Sequence, residues 1–306
     1  MPSLIDLVRA ELSTPVEPGV TAMAQAIAAD YPGSARAVLF YGSCLRESEL
    51  DGLMLDFYLI VSDYGDAYSK RWMAAANRLI PPNVFPFQHG GLIAKYAVLS
   101  ERDFALLNSG EASNVSVWAR FAQPSRLVWS VDYVAADRVF AAVAEAPVTL
   151  FELTMPTMVR GEATAPVDIW RAGFNHTYQA ELRAERKERS GSIVDADLNR
   201  YEQFASATLA EIAKRRGIGL NDEVPNILHP DAARRRWGQL RRRGKGLSIA
   251  RLAKASLTYA GGIDYLAWKI NRHAGTKIEI KPWQRRWPLI AALTLVPRLM
   301  KSGAIR

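Results

Sequence analysis

The chain contains very little cysteine or histidine. Cys44 is its single cysteine among 306 residues, which excludes a disulfide framework and any zinc site built from cysteines. The four histidines, at positions 89, 176, 229 and 273, are scattered without the spacing of metal ligands. Because the chain can form no internal disulfide, we expect a reducing compartment.

Neither end of the chain has a long hydrophobic run, and no internal repeat or low-complexity segment is present. Residues 1–13 have neither the apolar core of a signal peptide nor the arginine-rich, acid-free character of a transit peptide. The apolar run at residues 288–296 is nine residues long, whereas a helix needs about 20 residues to cross a bilayer. We therefore expect a cytoplasmic location.

Negative charge is scarce in the second half of the chain. Residues 182–306 contain 26 lysines and arginines against 11 aspartates and glutamates, a net charge of +15. Residues 1–181 contain 13 lysines and arginines against 20 aspartates and glutamates, a net charge of −7. The overall charge of +8 therefore hides a strong asymmetry between the two halves. Such a split indicates an anionic partner for the second half, either a nucleic acid or an anionic membrane surface.

The hydrophobic pattern predicts an α+β protein. With 49% hydrophobic residues, the chain is long enough for two domains. Short apolar runs predict strands at residues 38–41, 55–61, 93–99 and 126–129. Helices are predicted at residues 4–12, 20–30, 68–79, 134–146, 150–158, 168–188, 196–216, 249–257 and 263–271. The expected architecture is a mixed sheet with flanking helices at residues 1–133, a helical domain at 134–245 and a basic amphipathic, membrane-associating region at 246–306.

The segment that joins the first two strands carries a chemical motif. Tyr41 ends the first strand, Gly42 and Ser43 form a turn, and twelve further residues lead to Asp56 on the second strand. Glycine lets the backbone approach a phosphate closely, and the serine with nearby N–H groups can hold a triphosphate. An aspartate on the adjacent strand can bind the Mg²⁺ that bridges phosphate oxygens. This arrangement is typical of nucleotidyltransferases, and the alternative is an ordinary strand–turn–strand unit with a buried acid.

Two more residues fit such a site. Lys95 lies within an apolar strand, where it either extends to solvent from a sheet edge or contacts a ligand such as a triphosphate. Polymerase-type enzymes place a second carboxylate two residues after the first, but Tyr58 occupies that position. Glu181, near the apolar end of a predicted helix, is a candidate for the missing carboxylate. Weaker candidates are the acids of adjoining loops, Glu49, Asp51 and Asp63.

The last part of the chain combines cations with tryptophans. Arginines flank Trp237 in residues 234–243, and the tail has two arginines between Trp283 and Trp287, followed by the apolar run 288–296. An interfacial helix would place the tryptophans at headgroup level and the arginines against anionic lipid, where each cation adds about 1 kcal/mol. The alternative is a C-terminal core helix.

Several segments together resemble one known family, the mitochondrial translocator assembly and maintenance proteins, which are peripheral phosphatidate cytidylyltransferases. The segments that occur in the family's order are Tyr41-Gly42-Ser43, Leu55-Asp56-Phe57, Ala94-Lys95-Tyr96 and residues 178–183. Residues 118–128 and 256–269 are similar to two further segments of that family. The resemblance runs over residues 39–269, and the shared order supports it more than any single segment does.

The resemblance implies a nucleotidyltransferase-like sheet domain joined to a helical, winged-helix-like domain. It also implies an enzyme that makes CDP-diacylglycerol, a precursor of phospholipids and cardiolipin, from CTP and phosphatidic acid with Mg²⁺. The CTP-binding residues would be Tyr41, Gly42, Ser43 and Lys95. The catalytic residues would be Asp56, Lys95 and Glu181, with Asp56 and Glu181 as metal ligands. Two departures from the family pattern are Cys44, where glycine is expected, and Glu181, where aspartate is expected.

The expected partners are therefore CTP, phosphatidic acid and an anionic membrane, with the protein peripherally attached to the inner membrane face. The basic segments lack the alternation with aromatic residues that stacks bases, which argues against nucleic acid. Two alternatives stay open. One is a nucleotidyltransferase that acts on RNA, a small molecule or a protein, and the other is a catalytically inactive nucleotidyltransferase fold that serves as a membrane scaffold.

Overall fold

A five-stranded mixed sheet lies at the centre of the fold. The computed structural model describes residues 2–46, 50, 52–158, 165–181, 193–218, 229–258 and 281–282. The strands are β1 (Ala35–Tyr41), β2 (Met54–Val61), β3 (Asn83–His89), β4 (Leu92–Ser100) and β5 (Ser125–Ser130). Their spatial order is β3-β4-β2-β1-β5, in which β2 and β4 are parallel and the other neighbouring pairs are antiparallel.

Helices flank the sheet and form most of the rest of the described chain. They are α1 (Leu4–Leu12), α2 (Pro18–Ala29), α3 (Tyr64–Ala67), α4 (Arg71–Leu79), α5 (Glu101–Asn108), α6 (Trp118–Phe121), α7 (Tyr133–Thr154), α8 (Pro166–Ala180), α9 (Leu198–Arg215) and α10 (Pro230–Thr258). Short 3₁₀ helices lie at Ser43–Arg46 and Met155–Thr157. The α+β class, with a mixed sheet and flanking helices, is thus confirmed. The winged-helix-like character and the domain boundaries after residues 133 and 245 stay predictions.

The two faces of the sheet are covered by different helices, because side chains alternate along a strand. Phe40 and Phe57 point to one face and belong to a core that includes α2. Leu39 and Tyr58 point to the other face, where α1, α5, α6 and α7 cover the sheet. This second core continues without interruption into α8, α9 and α10, so the sheet and the later helices share one hydrophobic core.

Helix α7 differs from the prediction of two helices at residues 134–146 and 150–158. It is continuous through Pro147. A proline inside a helix costs about 3 kcal/mol, but residues 146–151 are all buried, and this packing outweighs the local cost. The segment Tyr133–Thr157 is long and apolar enough to cross a membrane by length and composition, yet 78% of its most apolar stretch is buried in the protein, as in a core helix.

The sequence-based prediction also lacks β3, α3, α5 and α6, and it predicts only part of α10 as a helix. Pro86 lies within β3, and a proline fits a strand at the sheet edge, which is where β3 lies. Helix α10 runs for 29 residues and includes both the arginines around Trp237 and the helix predicted at residues 249–257. The boundary predicted after residue 245 falls within it. The helix predicted at residues 263–271 and the tail at 283–306 lie outside the described residues.

The close approach of α8 and α10 at Gly244 gives a prediction about stability. A Cβ at this position would overlap the backbone carbonyl oxygen of Ala180. Replacing Gly244 by Ala should therefore lower the free energy of unfolding by about 1–3 kcal/mol through overpacking. The control is Gly246→Ala in the same helix, where no described atom lies within 4 Å of an added Cβ. That change should leave stability unchanged or raise it by up to about 1 kcal/mol. Equal unfolding temperatures for the two variants would show that the helices do not meet at Gly244.

Candidate functional site

Two of the predicted residues meet across β2 and β4. The parallel register places Asp56 beside Lys95, and Lys95 Nζ lies 3.0 Å from Asp56 Oδ1. The Lys95 and Asp56 side chains are 31% and 23% exposed, so solvent or a ligand can reach both. Lys95 is not at a sheet edge, because β3 continues the sheet beyond β4. The strand register therefore builds a partly buried ion pair on the sheet face that α1, α6 and α7 cover.

The turn after β1 lies directly against this ion pair. Tyr41 is the register partner of Asp56, so Gly42 and Ser43 continue from the strand next to the carboxylate. Gly42 has a φ of +96°, a conformation that residues with a side chain rarely adopt. A Cβ on Gly42 would lie 3.3 Å from Asp56 Oδ2. Ser43 is exposed. The structure thus brings the predicted turn residues together with the predicted acid and lysine.

Cys44, one of the two departures from the pattern of the family that the sequence resembles, points into the protein. Its side chain is buried, and Sγ donates to the backbone carbonyl of Met54 at 3.6 Å. The thiol is therefore held against the first residue of β2.

Two tyrosines line the site on the same sheet face. The rings of Tyr41 and Tyr58 lie 5.1 Å apart, and each also contacts Phe121. Burial raises the pKa of Tyr58, and it raises that of Tyr41 well above its usual value. The Asp56 carboxylate raises the pKa of both hydroxyls further. Both hydroxyls therefore stay protonated at neutral pH, and Tyr58 provides a neutral group where polymerase-type enzymes have a second carboxylate.

The sequence predicts that Glu181 lies inside a helix that continues to residue 188. In the structure, Glu181 lies just past the end of α8. The helix ends at Ala180, and Glu181 has an extended backbone with φ −112° and ψ 152°. Its side chain is 9% exposed, and Oε1 lies 3.2 Å from Arg120 Nη1. The partner is 61 positions away in the chain, so the local sequence gives no sign of this inward turn. The role of Glu181 as a metal ligand and catalytic residue stays a prediction.

Three cations near the site are absent from the sequence-based prediction. Burial acts to lower the pKa of Arg120, but the Glu181 carboxylate together with the Tyr58 and Tyr41 hydroxyls more than offsets this and leaves the pKa above its usual value. Arg251 and Lys254 extend from α10 to the backbone carbonyls of residues 80–82. Arg251 and Lys254 are three residues apart, which places them on one face of a helix. The same spacing is typical of cations on a solvated helix face, so it did not indicate a site.

The donor chemistry of Asp56 fits the predicted Mg²⁺. This ion binds carboxylate oxygens and is commonly held by one or two carboxylates together with substrate phosphates. Among the described residues, no group of three or more histidines, cysteines or acids could hold a metal by itself. A metal at Asp56 would therefore take further ligands from phosphate oxygens of a bound substrate and from water.

The weaker acidic candidates do not join the site in the described structure. Asp63 follows the opposite end of β2, where it caps α3 and lies 2.6 Å from Arg78. Glu49 and Asp51 lie outside the described residues. Asp56 is therefore the carboxylate that the structure places against the glycine turn.

Comparisons with known proteins give one structural similarity. No family model matches the chain, and no curated protein matches it. Among solved structures, the chain is similar to a nucleotidyltransferase-like protein from Exiguobacterium sibiricum 255-15, over 93% of this chain and 92% of that one. The identity is 11% and the TM-score is 0.28. A similarity of this strength carries no argument about fold or activity, and the activity has to be inferred from the site itself.

Proposed function

We propose that the chain is a nucleotidyltransferase, and more specifically a CTP:phosphatidate cytidylyltransferase that works at a membrane surface. The observation that carries the proposal is the 3.0 Å pair of Lys95 and Asp56 beside the Gly42 turn. A glycine turn that can approach phosphate, a cation and a metal-binding carboxylate are the parts that nucleotide transfer from a triphosphate requires.

Each residue of the site has a distinct role in this proposal. The backbone N–H groups of the turn and the Ser43 hydroxyl donate to phosphate oxygens. The Lys95 ammonium pairs with Asp56 before substrate binds, which orients both side chains, and it then neutralises phosphate charge. Mg²⁺ held by Asp56 would supply further neutralisation of the triphosphate.

The reaction is an in-line displacement at the α-phosphorus of CTP. An oxygen of the lipid phosphate forms the new P–O bond, the bond to the oxygen that bridges the β-phosphate breaks, and pyrophosphate leaves with the electron pair. Because the second pKa of a phosphate monoester is about 6, the attacking group is already largely ionised at neutral pH. Catalysis then rests on positioning and charge neutralisation and requires no strong general base.

A surface of α4 supports a lipid as the acceptor. Trp72 is 52% exposed and Leu79 is 79% exposed, and their spacing of seven residues places both on one helix face. The exposed cations Lys70 and Arg71 lie beside this stripe. Exposed apolar residues flanked by cations are typical of helices that lie in the interface of an anionic membrane. Together with the basic second half of the chain, this stripe favours a membrane-bound acceptor.

The stripe on α4 gives a binding prediction. Replacing both Trp72 and Leu79 by Ser should weaken binding to phosphatidate-containing vesicles by at least about 10-fold, because two large apolar side chains lose their contact with lipid. The control is Tyr133→Ser, since Tyr133 is 80% exposed at the start of α7 and lies outside the stripe. Co-sedimentation with vesicles measures both variants. If the double variant binds as tightly as the control, α4 does not contact the membrane.

The activity is tested by following the α-phosphate of CTP. The protein is incubated with CTP labelled at the α-phosphate, Mg²⁺ and phosphatidate vesicles, and the chloroform-extractable label is counted, with ATP, GTP and UTP as competitors. We expect label to appear in the lipid. We also expect unlabelled CTP to reduce this label, whereas ATP, GTP and UTP should not. Label in RNA or protein and none in lipid would favour another acceptor, and no transfer to any acceptor would favour a scaffold.

A further inference from the structure

A second group of charged side chains lies on the sheet face of the Asp56–Lys95 pair and, apart from the role predicted for Glu181, has no part in the roles given above. We call it the cation cluster. It consists of three cations, Arg120, Arg251 and Lys254, and of the Glu181 carboxylate that pairs with Arg120. Ser116 joins the two arginines. Its backbone carbonyl accepts from Arg120 Nη1, and its hydroxyl accepts from Arg251 Nη1 at 2.9 Å. The cluster is thus a connected unit built from α6, α10 and the end of α8.

Backbone carbonyls hold the α10 members in place. Arg251 Nε donates to the carbonyl of Pro81 at 2.7 Å, and Lys254 Nζ donates to those of Ile80 and Pro82, the latter at 2.8 Å. Arg251 Nη2 is buried and has no hydrogen-bond partner among the residues that the structure describes. A buried charged donor without a partner is costly, so this nitrogen indicates a missing acceptor.

The charges of the cluster favour a further anion. Burial lowers the pKa of Arg251, and it lowers that of Lys254 to about 8. At Arg251 the Tyr58 hydroxyl opposes the effect of burial, whereas the Arg120 charge adds to it, and the Arg251 charge in turn lowers the pKa of Lys254. Glu181 is the described carboxylate that opposes the lowering of the pKa at Arg251. A phosphate dianion among these cations would relieve their mutual repulsion and provide acceptor oxygens.

The cluster lies on the same sheet face as Asp56. Phe121 follows Arg120 on α6, and its ring centroid lies 5.2 Å from that of Tyr58 and 6.1 Å from that of Tyr41. Tyr41 is in turn the register partner of Asp56. A phosphate held by the cluster would be near the α-phosphate of a nucleotide held at Gly42 and Lys95.

We infer that the cation cluster binds the phosphate monoester of the lipid acceptor, with Arg120 and Arg251 as its main donors. This inference rests on the proposed function, because a transferase needs an acceptor group beside its nucleotide. A guanidinium group can bind two phosphate oxygens at once, which suits it to a terminal phosphate.

Two features favour the acceptor over the triphosphate as the occupant. In the proposed function, the turn at Gly42 and Lys95 already provides donors for the triphosphate beside Asp56. Arg251 and Lys254 contact residues 80–82, the segment that directly follows α4 and its exposed apolar stripe. A lipid headgroup that approaches at α4 would therefore arrive beside Arg251 and Lys254.

The test measures binding without turnover. Short-chain dioctanoyl phosphatidate is titrated into the full chain by calorimetry, without nucleotide, for wild type, R251Q and K245Q. Lys245 is an exposed cation on the same helix, so K245Q removes the same charge outside the cluster. R251Q should raise the Kd for phosphatidate by at least about 10-fold, and K245Q should leave it within about twofold. Equal affinity of R251Q and wild type, or no binding by wild type, would overturn the inference.

Two further titrants identify the ligand. Inorganic phosphate should show the same dependence on Arg251 but bind more weakly, and binding of inorganic phosphate without binding of phosphatidate would overturn the lipid assignment. CTP with Mg²⁺ should bind R251Q and wild type within about twofold of each other. A loss confined to CTP would instead assign the cluster to the nucleotide and overturn the inference.

The conservative variant R251K provides a second measurement if R251Q does not fold. It keeps the charge but loses the planar fork, so its affinity should fall between those of wild type and R251Q.

Failure of the proposed function would give a different result. Phosphatidate would then bind in an Arg251-dependent manner while wild type transfers no label from CTP, which would retain the phosphate site and remove its role in transfer.

Discussion

Replacing Asp56 by Asn should reduce the transfer of label from CTP to phosphatidate by about 10³-fold. Asparagine has the same shape, but it lacks the charge that pairs with Lys95 Nζ at 3.0 Å and that would bind Mg²⁺. The loss should appear mainly in kcat, because charge neutralisation matters most when pyrophosphate is leaving. Initial rates at saturating CTP, together with the unfolding temperature of the variant, provide the measurement.

Asp63→Asn is the matched control for this change. Asp63 follows the far end of the same strand, where its carboxylate is half-exposed, caps α3 and pairs with Arg78. Asparagine also caps helices well, so this variant should keep its stability and its rate within about twofold. If Asp56→Asn retained a tenth or more of the wild-type rate, or if both variants lost activity equally, Asp56 would not be a catalytic residue.

Replacing Gly42 by Ala should reduce the rate of transfer by about 10- to 100-fold. The left-handed φ of +96° strains any residue with a side chain, and the new Cβ would lie 3.3 Å from Asp56 Oδ2. The carboxylate or the turn must then shift by a few tenths of an ångström, in the place where phosphate and metal would bind. The strain alone should lower the free energy of unfolding by about 1 kcal/mol.

Gly33→Ala separates the strain from the effect on the site. Gly33 also has a left-handed φ, of +75°, but it precedes the opposite end of β1 and no described atom lies within 4 Å of an added Cβ. Both variants should show a similar fall in unfolding temperature, whereas Gly42→Ala alone should lose activity. Parallel losses of activity would mean that strain, and not the contact with Asp56, explains the effect.

The residues closest to the proposed chemistry could be identified from the sequence because their signals are local. Gly42 and Ser43 follow an apolar strand, and Asp56 and Lys95 interrupt two others, so each stands out against its immediate neighbours. The same local pattern explains why β1, β2, β4 and β5 were predicted close to their observed positions, and α1 within its observed bounds. Period-2 alternation also places Asp56 and Tyr58 on one sheet face.

The rest of the site depends on contacts between distant parts of the chain. Arg120 pairs with Glu181 across 61 positions, and Arg251 bonds to Pro81 across 170. No spacing rule within a helix or strand signals such partners, so the cation cluster could not be predicted. The continuous α7 shows the same limit, since local propensity predicts a break at Pro147 that burial in the core overrides.

Calorimetric titration of CTP into wild type and Lys95→Met, with and without Mg²⁺, examines the nucleotide site independently of any acceptor. Wild type should bind CTP in a manner that depends on Mg²⁺, and Lys95→Met should bind at least about 10-fold more weakly, because the ammonium beside Asp56 is lost. Arg78→Met, which removes an exposed cation paired with Asp63, should bind CTP as wild type does. If wild type binds no nucleoside triphosphate, or if Lys95→Met binds CTP as tightly as wild type, the Asp56–Lys95 pair is not a nucleotide site.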